Sequence, residues 1–190
     1  MNIEGILSYA RSLMQRVISP GSLAIDGTVG NGHDTLFLAE LVGEKGHVFG
    51  FDIQDQAILQ TKELLEKNSV AGRVTLFQRG HERLEESLPV KYHEKINGAM
   101  FNLGYLPGGD KSIVTKPDTT IAAINQLLDM LVKGGILGLV IYPGHEEGAY
   151  ERDRLLEYAK NLDQTKVHVL QYGFINQKNN PPFLLAFEKK

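Results

Sequence analysis

The sequence contains no cysteine. That excludes a disulfide framework, a thiolate nucleophile and any cysteine-based zinc site, and no metal centre is expected. It also lacks an excess of positive charge, since 20 Lys+Arg against 23 Asp+Glu leave a formal net charge of -3. Phosphate neutralisation supplies most non-specific nucleic-acid binding, so a protein that coats RNA or DNA usually carries a basic stripe. An RNA partner must therefore be met by a local patch, not by the field of the whole protein. No apolar run approaches the roughly 20 residues of a membrane-spanning helix, and no membrane partner is expected. The opening Met1-Asn2-Ile3-Glu4-Gly5 lacks the basic, apolar, then small-residue order of a signal peptide, which predicts a cytoplasmic protein.

What is present is ordinary for a soluble globular protein: 42% hydrophobic and 23% charged residues. At 190 residues the chain can bury one sizeable core, and its length predicts a single domain over 1–190. Strand and helix patterns alternate, which predicts an α/β fold with helices on both faces of a parallel sheet. Ile3, Ile6, Leu7, Ala10, Leu13, Met14 and Val17 recur at helical spacing, and Pro20-Gly21 stops that lead-in helix. Strands are expected at 22–26, 46–52, 74–77 and 96–101, with helices from Asp34 to Val42 and through Ala57, Ile58, Leu64 and Leu65. Thr119 to Val132 reads as a helix closed by Lys133-Gly134-Gly135, and Ile136 to Ile141 as a buried fifth strand. A helix from Glu146 to Leu162 leads to two β-rich runs, 166–174 and 182–187, whose short connection permits antiparallel pairing. The expected fold is a doubly wound, mostly parallel seven-stranded sheet with a reversed terminal strand.

The most informative stretch is Asp26-Gly27-Thr28-Val29-Gly30-Asn31-Gly32-His33-Asp34, between the first strand and its helix. Open α/β sheets bind ligands there, and glycines let the backbone approach them closely. A phosphate-cradling loop requires G-x-x-x-x-G-K-[ST]; Gly27 and Gly32 have that separation, but His33-Asp34 replaces the lysine and hydroxyl. A dinucleotide fingerprint, G-x-G-x-x-G, fails at Thr35 when read from Gly30 and at Val29 when read from Gly27. What remains resembles the D/E-x-G-x-G-x-G signature of class I methyltransferases, with Thr28-Val29 making the first gap one residue longer. The acid at the loop start repels a pyrophosphate and suits a cationic sulfonium ligand bearing an ammonium group. Asp26, Gly27, Thr28, Gly30, Asn31 and Gly32 are thus candidate contacts to S-adenosylmethionine. Asp52 ends the second strand about 20 residues beyond the loop, where an acid holds ribose hydroxyls, and Gln54 follows it. His81 and Glu82, after the third strand, are candidates for the adenine side.

The fourth strand runs into Asn102-Leu103-Gly104-Tyr105-Leu106-Pro107-Gly108-Gly109-Asp110-Lys111. Amine-methylating enzymes often carry [D/N/S]-P-P-[Y/F/W] at this place. There a side-chain oxygen and a backbone carbonyl accept hydrogen bonds from the target amine, and the aromatic ring stacks on a planar base. Asn102 and Tyr105 keep the polar head and aromatic tail, without the prolines. Asn102 would also border the cofactor. Tyr142, in Tyr142-Pro143-Gly144-His145 after the fifth strand, opens on the same face as a second stacking ring, and His145 is a candidate proton acceptor.

Taken together, the glycine loop and the Asn102–Lys111 motif resemble a small bacterial family known as rRNA methylases, and the likeness spans essentially the whole chain. The resemblance implies methylation of 5-aminomethyl-(2-thio)uridine at the tRNA wobble position. The partner would be the anticodon stem-loop, met by Arg79, Arg83, Lys111, Lys116 and Lys178 and by the polar loop 176–182. A homodimer is compatible with the same features. Three other readings stay open: an amine methyltransferase acting on rRNA or another substrate, a nicotinamide-dependent oxidoreductase, and a non-catalytic nucleoside- or RNA-binding module.

Overall fold

A computed structural model describes residues 2–106, 108 and 112–190. Lys111, with Pro107, Gly109 and Asp110 of the second motif, lies outside the described residues. The chain runs α1 (Ile6–Val17), β1 (Leu23–Asp26), α2 (His33–Val42), β2 (His47–Asp52), α3 (Asp55–Lys67) and β3 (Val74–Gln78). It continues through the single turn α4 (Leu84–Ser87), β4 (Ile96–Leu103), α5 (Pro117–Met130), β5 (Leu131–Ile141), α6 (Glu146–Lys160), β6 (Val167–Tyr172) and β7 (Phe183–Lys189).

The seven strands form one sheet in the order β3-β2-β1-β4-β5-β7-β6. The first five are parallel, while β7 runs antiparallel to both β5 and β6. The reversed strand is therefore the last in the chain but sits one place inside the sheet edge. Composition explains the placement. Phe183 to Phe187 are all buried, an apolar run fit for an interior strand, whereas β6 buries only Val167 and exposes His168 and Gln171. One face is covered by α1, α2 and α3 through Leu13, Met14, Leu38 and Leu65. The other is covered by α5 and α6 through Ile124, Leu127 and Leu155.

The expected helix stop at Lys133-Gly134-Gly135 is corrected. The helix ends at Met130, and these residues lie within β5, where Ile96 to Gly98 of β4 face Leu131 to Ile136 of β5. Leu131 is fully buried and pairs with Ile96, so core packing begins the strand before the glycines. Gly134, at φ 78, then serves a strand bulge instead of a helix cap. Among the described residues no helix is long and apolar enough to cross a membrane.

Strand order fixes where a ligand can enter. From β1 the chain winds outward to β2 and β3, then crosses back to β4 on the other side of β1. The crevice beyond the carboxyl ends of β1 and β4 is the switch point of the sheet. Asp26, Asp52 and Asn102 each come at or near the end of one of the strands that border it.

Candidate active site

The glycine loop is fastened on three sides. Gly27 donates its N–H to the Met100 carbonyl of β4 (3.0 Å), and Val29 donates to the Phe51 carbonyl of β2 (3.0 Å). The Thr28 hydroxyl accepts the Asn102 backbone N–H at 2.6 Å. Thr28 and Val29, which lengthen the first gap, are thus the residues that tie the loop to its neighbouring strands. A Cβ on Gly27 would lie 2.2 Å from the Phe101 ring, and one on Gly32, at φ 79, would lie 2.6 Å from the Thr61 hydroxyl. Neither position accepts a side chain without displacing a neighbour. Asn31 is half-buried between Gly30 and Gly32, both at positive φ.

Asp26 is 1% exposed. Its Oδ2 accepts the Thr35 hydroxyl at 2.6 Å and its Oδ1 the Thr28 N–H at 3.1 Å. Burial, followed by the nearby Asp34 carboxylate, pushes its pKa from 3.8 up to about 7, although the two hydrogen bonds act in the opposite direction. Asp26 therefore braces the loop against the first turn of α2 from behind. The acid that opens the loop is thus buried and not exposed to solvent. Asp52 is the last residue of β2. Its Oδ2 accepts the Gly30 N–H and its Oδ1 the Gln54 N–H, each at 2.9 Å, so the second strand end and the loop are joined through one carboxylate.

His81 is buried under the loop, with Nδ1 3.1 Å from the Gly27 carbonyl and its ring against Phe101. A carbonyl can only accept, so Nδ1 carries the proton and Nε2 is a bare acceptor, with no hydrogen-bond partner among the described residues. Burial keeps the ring neutral by lowering its pKa. Glu82 folds back over Gly80, and its carbonyl accepts from the Gln126 amide at 2.6 Å.

At the end of β4, the Asn102 amide donates from Nδ2 to Asp34 Oδ2 at 2.5 Å. The other oxygen of Asp34 accepts both Arg11 Nε (2.9 Å) and Nη2 (2.7 Å). Among the described residues, Asn102 Oδ1 is buried and without a partner. Tyr105 and Tyr142, 40% and 37% exposed, follow β4 and β5 on this face. Burial, then the Asp34 charge, raises the Tyr142 pKa, so the ring is a neutral phenol standing near the Asp34–Asn102 pair. His145 caps α6: its Nδ1 accepts the Gly148 N–H at 2.9 Å. Its Nδ1 also lies 3.4 Å from the Glu147 carboxylate, so that nitrogen is engaged at the start of α6. Tyr105 packs against His145 with ring centroids 5.7 Å apart.

A buried network that the sequence did not reveal steadies the segment after Asn102. Glu151 of α6 accepts the Thr115 hydroxyl (2.6 Å) and the Thr120 hydroxyl (2.7 Å). Thr115 in turn accepts the Gly104 N–H at 2.9 Å. Arg11, Asp34, Thr115 and Glu151 lie on four separate segments. The one local signal was an acid in the first turn of α2, which the helix dipole alone would explain.

The basic residues are more scattered. Arg79 and Lys178 follow strands at opposite edges, six strand spacings or about 29 Å apart, on the carboxyl end of the sheet. Arg83 is paired with Glu86 at 3.4 Å, and Lys116 is exposed just before α5. The loop 176–182 is largely exposed at the same end.

Over residues 48–188 the chain matches the family described as "Putative rRNA methylase". It is 33% identical over 190 residues to a chloroplastic tRNA (mnm(5)s(2)U34)-methyltransferase of Arabidopsis thaliana, covering 95% of this chain and 68% of that protein. A "putative rRNA-methylase" of Clostridium thermocellum matches with a TM-score of 0.96 and 43% identity over 100% of both chains. A "putative methyltransferase" of Streptococcus mutans, solved in complex with SAH, matches with a TM-score of 0.88 and 37% identity over 99% of both chains.

Proposed function

The chain belongs to the rRNA methylase family, and on that premise we propose that it methylates the primary amine of 5-aminomethyl-(2-thio)uridine at the wobble position of tRNA. The methyl donor is S-adenosylmethionine, which when bound supplies an electrophilic methyl group on a positively charged sulfur.

The residues at the switch point fit that cofactor. Asp26 and Asp52 are close enough for the second to help raise the first, while the Asp34 charge is met by Arg11. Such a set repels a pyrophosphate and favours a ligand carrying sulfonium and ammonium charges. Asp52 and Gln54 would hold the ribose. Gly27, Thr28, Gly30, Asn31 and Gly32 would hold the methionine end, with Asp26 as their brace. His81 and Glu82 would lie on the adenine side.

The observation that carries the amine assignment is Asn102. Its Nδ2 is committed to Asp34, leaving Oδ1 as a buried acceptor with nothing to accept. An unmet buried acceptor costs about 1–3 kcal/mol, which an incoming N–H relieves. Accepting that N–H would turn the nitrogen lone pair away from Asn102 and leave it free to attack. Tyr105 and Tyr142 flank the base and exclude water. Transfer would form the N–C bond as the donor's S–CH3 bond breaks with release of S-adenosylhomocysteine, and the nitrogen, left with a positive charge, would give up one proton to solvent. The rate therefore comes from positioning and desolvation. Arg79, Lys116 and Lys178 meet phosphates of the anticodon stem-loop from the carboxyl end of the sheet.

The test is mass spectrometry of tRNA nucleosides from a strain lacking the protein, with rRNA analysed alongside. Accumulation of the aminomethyl precursor supports the assignment. An unchanged tRNA profile with a missing rRNA methylation overturns the choice of RNA. Calorimetry with S-adenosylmethionine and with NAD checks the donor, and binding of NAD alone would refute the whole reading.

A further inference from the structure

We propose that Arg11 and Asp34 are positioning residues which decide which end of the Asn102 amide meets the acceptor amine. The inference rests on the reading of Asn102 as the amine's hydrogen-bond acceptor, and extends it to residues that touch neither substrate nor cofactor.

The two ends of an asparagine amide have nearly the same shape but opposite hydrogen-bonding character. Turned with Oδ1 toward an amine, Asn102 accepts an N–H and leaves the lone pair free to attack. Turned the other way, its NH2 donates to that lone pair and blocks it. Because a half-turn of the amide separates an active from an inactive arrangement, something must select between them.

Asp34 makes the selection. Paired with a guanidinium, its carboxylate offers only acceptors, and its Oδ2 holds Asn102 Nδ2 at 2.5 Å. Reversing the amide would place Oδ1 against that carboxylate, losing a charge-assisted hydrogen bond and adding repulsion. Asp34 is itself held from the far side. Arg11 binds the opposite oxygen through Nε and Nη2, leaving Oδ2 for the amide, and its guanidinium lies 5.1 Å from the centre of the Phe37 ring. The Asn102 main chain is fixed independently through Thr28, so the flip of the amide is the freedom that Asp34 removes. Helix α1 thereby reaches the reacting centre through Arg11, Asp34 and Asn102.

The experiment uses Arg11→Ala, Asp34→Asn and Asn102→Ala, singly and in pairs, in the full chain. Three quantities are read: single-turnover methyl transfer to aminomethyluridine tRNA, the cofactor Kd by calorimetry, and the Asn102 side-chain amide resonances by 15N NMR without substrate. Arg11→Ala and Asp34→Asn are each expected to slow transfer about 10- to 100-fold while cofactor Kd stays within about twofold. Neither should slow transfer further in the Asn102→Ala background, and both should shift the amide resonances. Arg11→Lys, which keeps the charge but not the paired donors, should fall between Arg11→Ala and wild type. Losses that multiply with Asn102→Ala overturn the proposal, as do amide resonances unmoved by Asp34→Asn. Wild-type transfer by Asp34→Asn with an inactive Asn102→Ala overturns the positioning role alone. Wild-type transfer by Asn102→Ala overturns the amine assignment, and the positioning role with it.

Discussion

Replacing Asp26 with asparagine isolates what it costs to bury an acid behind the glycine loop. In the folded protein this carboxyl titrates at about 7 instead of 3.8, with burial the largest cause and Asp34 the next. A gap of roughly three units, at about 1.4 kcal/mol each, corresponds to about 4 kcal/mol. The sign follows from proton binding: the folded state holds this proton more tightly than the unfolded chain does. Its contribution to stability is therefore complete below about pH 4 and is lost as pH rises through about 7. The asparagine variant would keep the shape without the titration. Its side-chain carbonyl can still accept the Thr28 N–H, and its NH2 can donate to the Thr35 hydroxyl, reversing that one bond. The stability of Asp26→Asn relative to wild type should accordingly rise by up to about 4 kcal/mol between about pH 4 and pH 8, because other titrating groups largely cancel in the difference. Urea unfolding of both proteins across this range, with linear extrapolation at each pH, measures it. A stability difference that stays constant over the range would refute the reasoning.

The same acid links cofactor binding to pH. A cationic ligand favours the ionised form of Asp26, so affinity for S-adenosylmethionine should rise through about pH 7 and level off above it. Calorimetry in buffers of different ionisation enthalpy should detect proton release at pH 7, and none for Asp26→Asn. Gly32→Ala combines a strained φ of 79 with a Cβ 2.6 Å from the Thr61 hydroxyl. It should lose about 1–3 kcal/mol in urea unfolding, and adding Thr61→Ala should recover the steric part but not the backbone part. Glu151→Ala leaves the buried Thr120 and the half-buried Thr115 hydroxyls without their acceptor, so the Gly104 and Thr115 amides should exchange hydrogen faster. Glu151→Gln, which retains one acceptor, should protect them in part.

The legibility of these features in the sequence follows from how far each one reaches along the chain. Alternating apolar runs carried the sheet, because a strand buried on both faces must be apolar whatever lies beside it. They also carried the reversed final strand, through the short connection after Tyr172. The glycine loop was legible for the same local reason: close approach and positive φ demand glycine at fixed offsets. The misread boundary at Lys133 to Gly135 shows the limit. A lysine followed by two glycines ends a helix or bulges a strand with equal local cost, and only the pairing of Leu131 with Ile96 decides. The partners of Asn102 were unreadable for a similar reason. Arg11 lies 23 residues from Asp34, and Asp34 lies 68 from Asn102, so no spacing rule connects them.

Several features around the loop are unfavourable for the protein alone and point to one kind of ligand. Asp26 is an acid held where its charge is disfavoured. Among the described residues, Asn102 Oδ1 and His81 Nε2 are buried acceptors without donors. Gly30 and Gly32 adopt backbone conformations that only glycine takes readily, at φ 52 and 79. A core chosen for stability alone would remove the first three with apolar side chains, at little loss of packing. Their common remedy is a partner that brings positive charge and N–H donors to the carboxyl ends of β1 and β4. A phosphate brings neither, and a neutral sugar brings no charge. A sulfonium bearing an ammonium group beside an amine-bearing base brings both, the cation to the buried acid and the N–H to the idle amide oxygen. Each feature is eased by a different part of that pair, the acid by the cation and the amide oxygen by the N–H, so both parts of the proposed reaction have a place at the site.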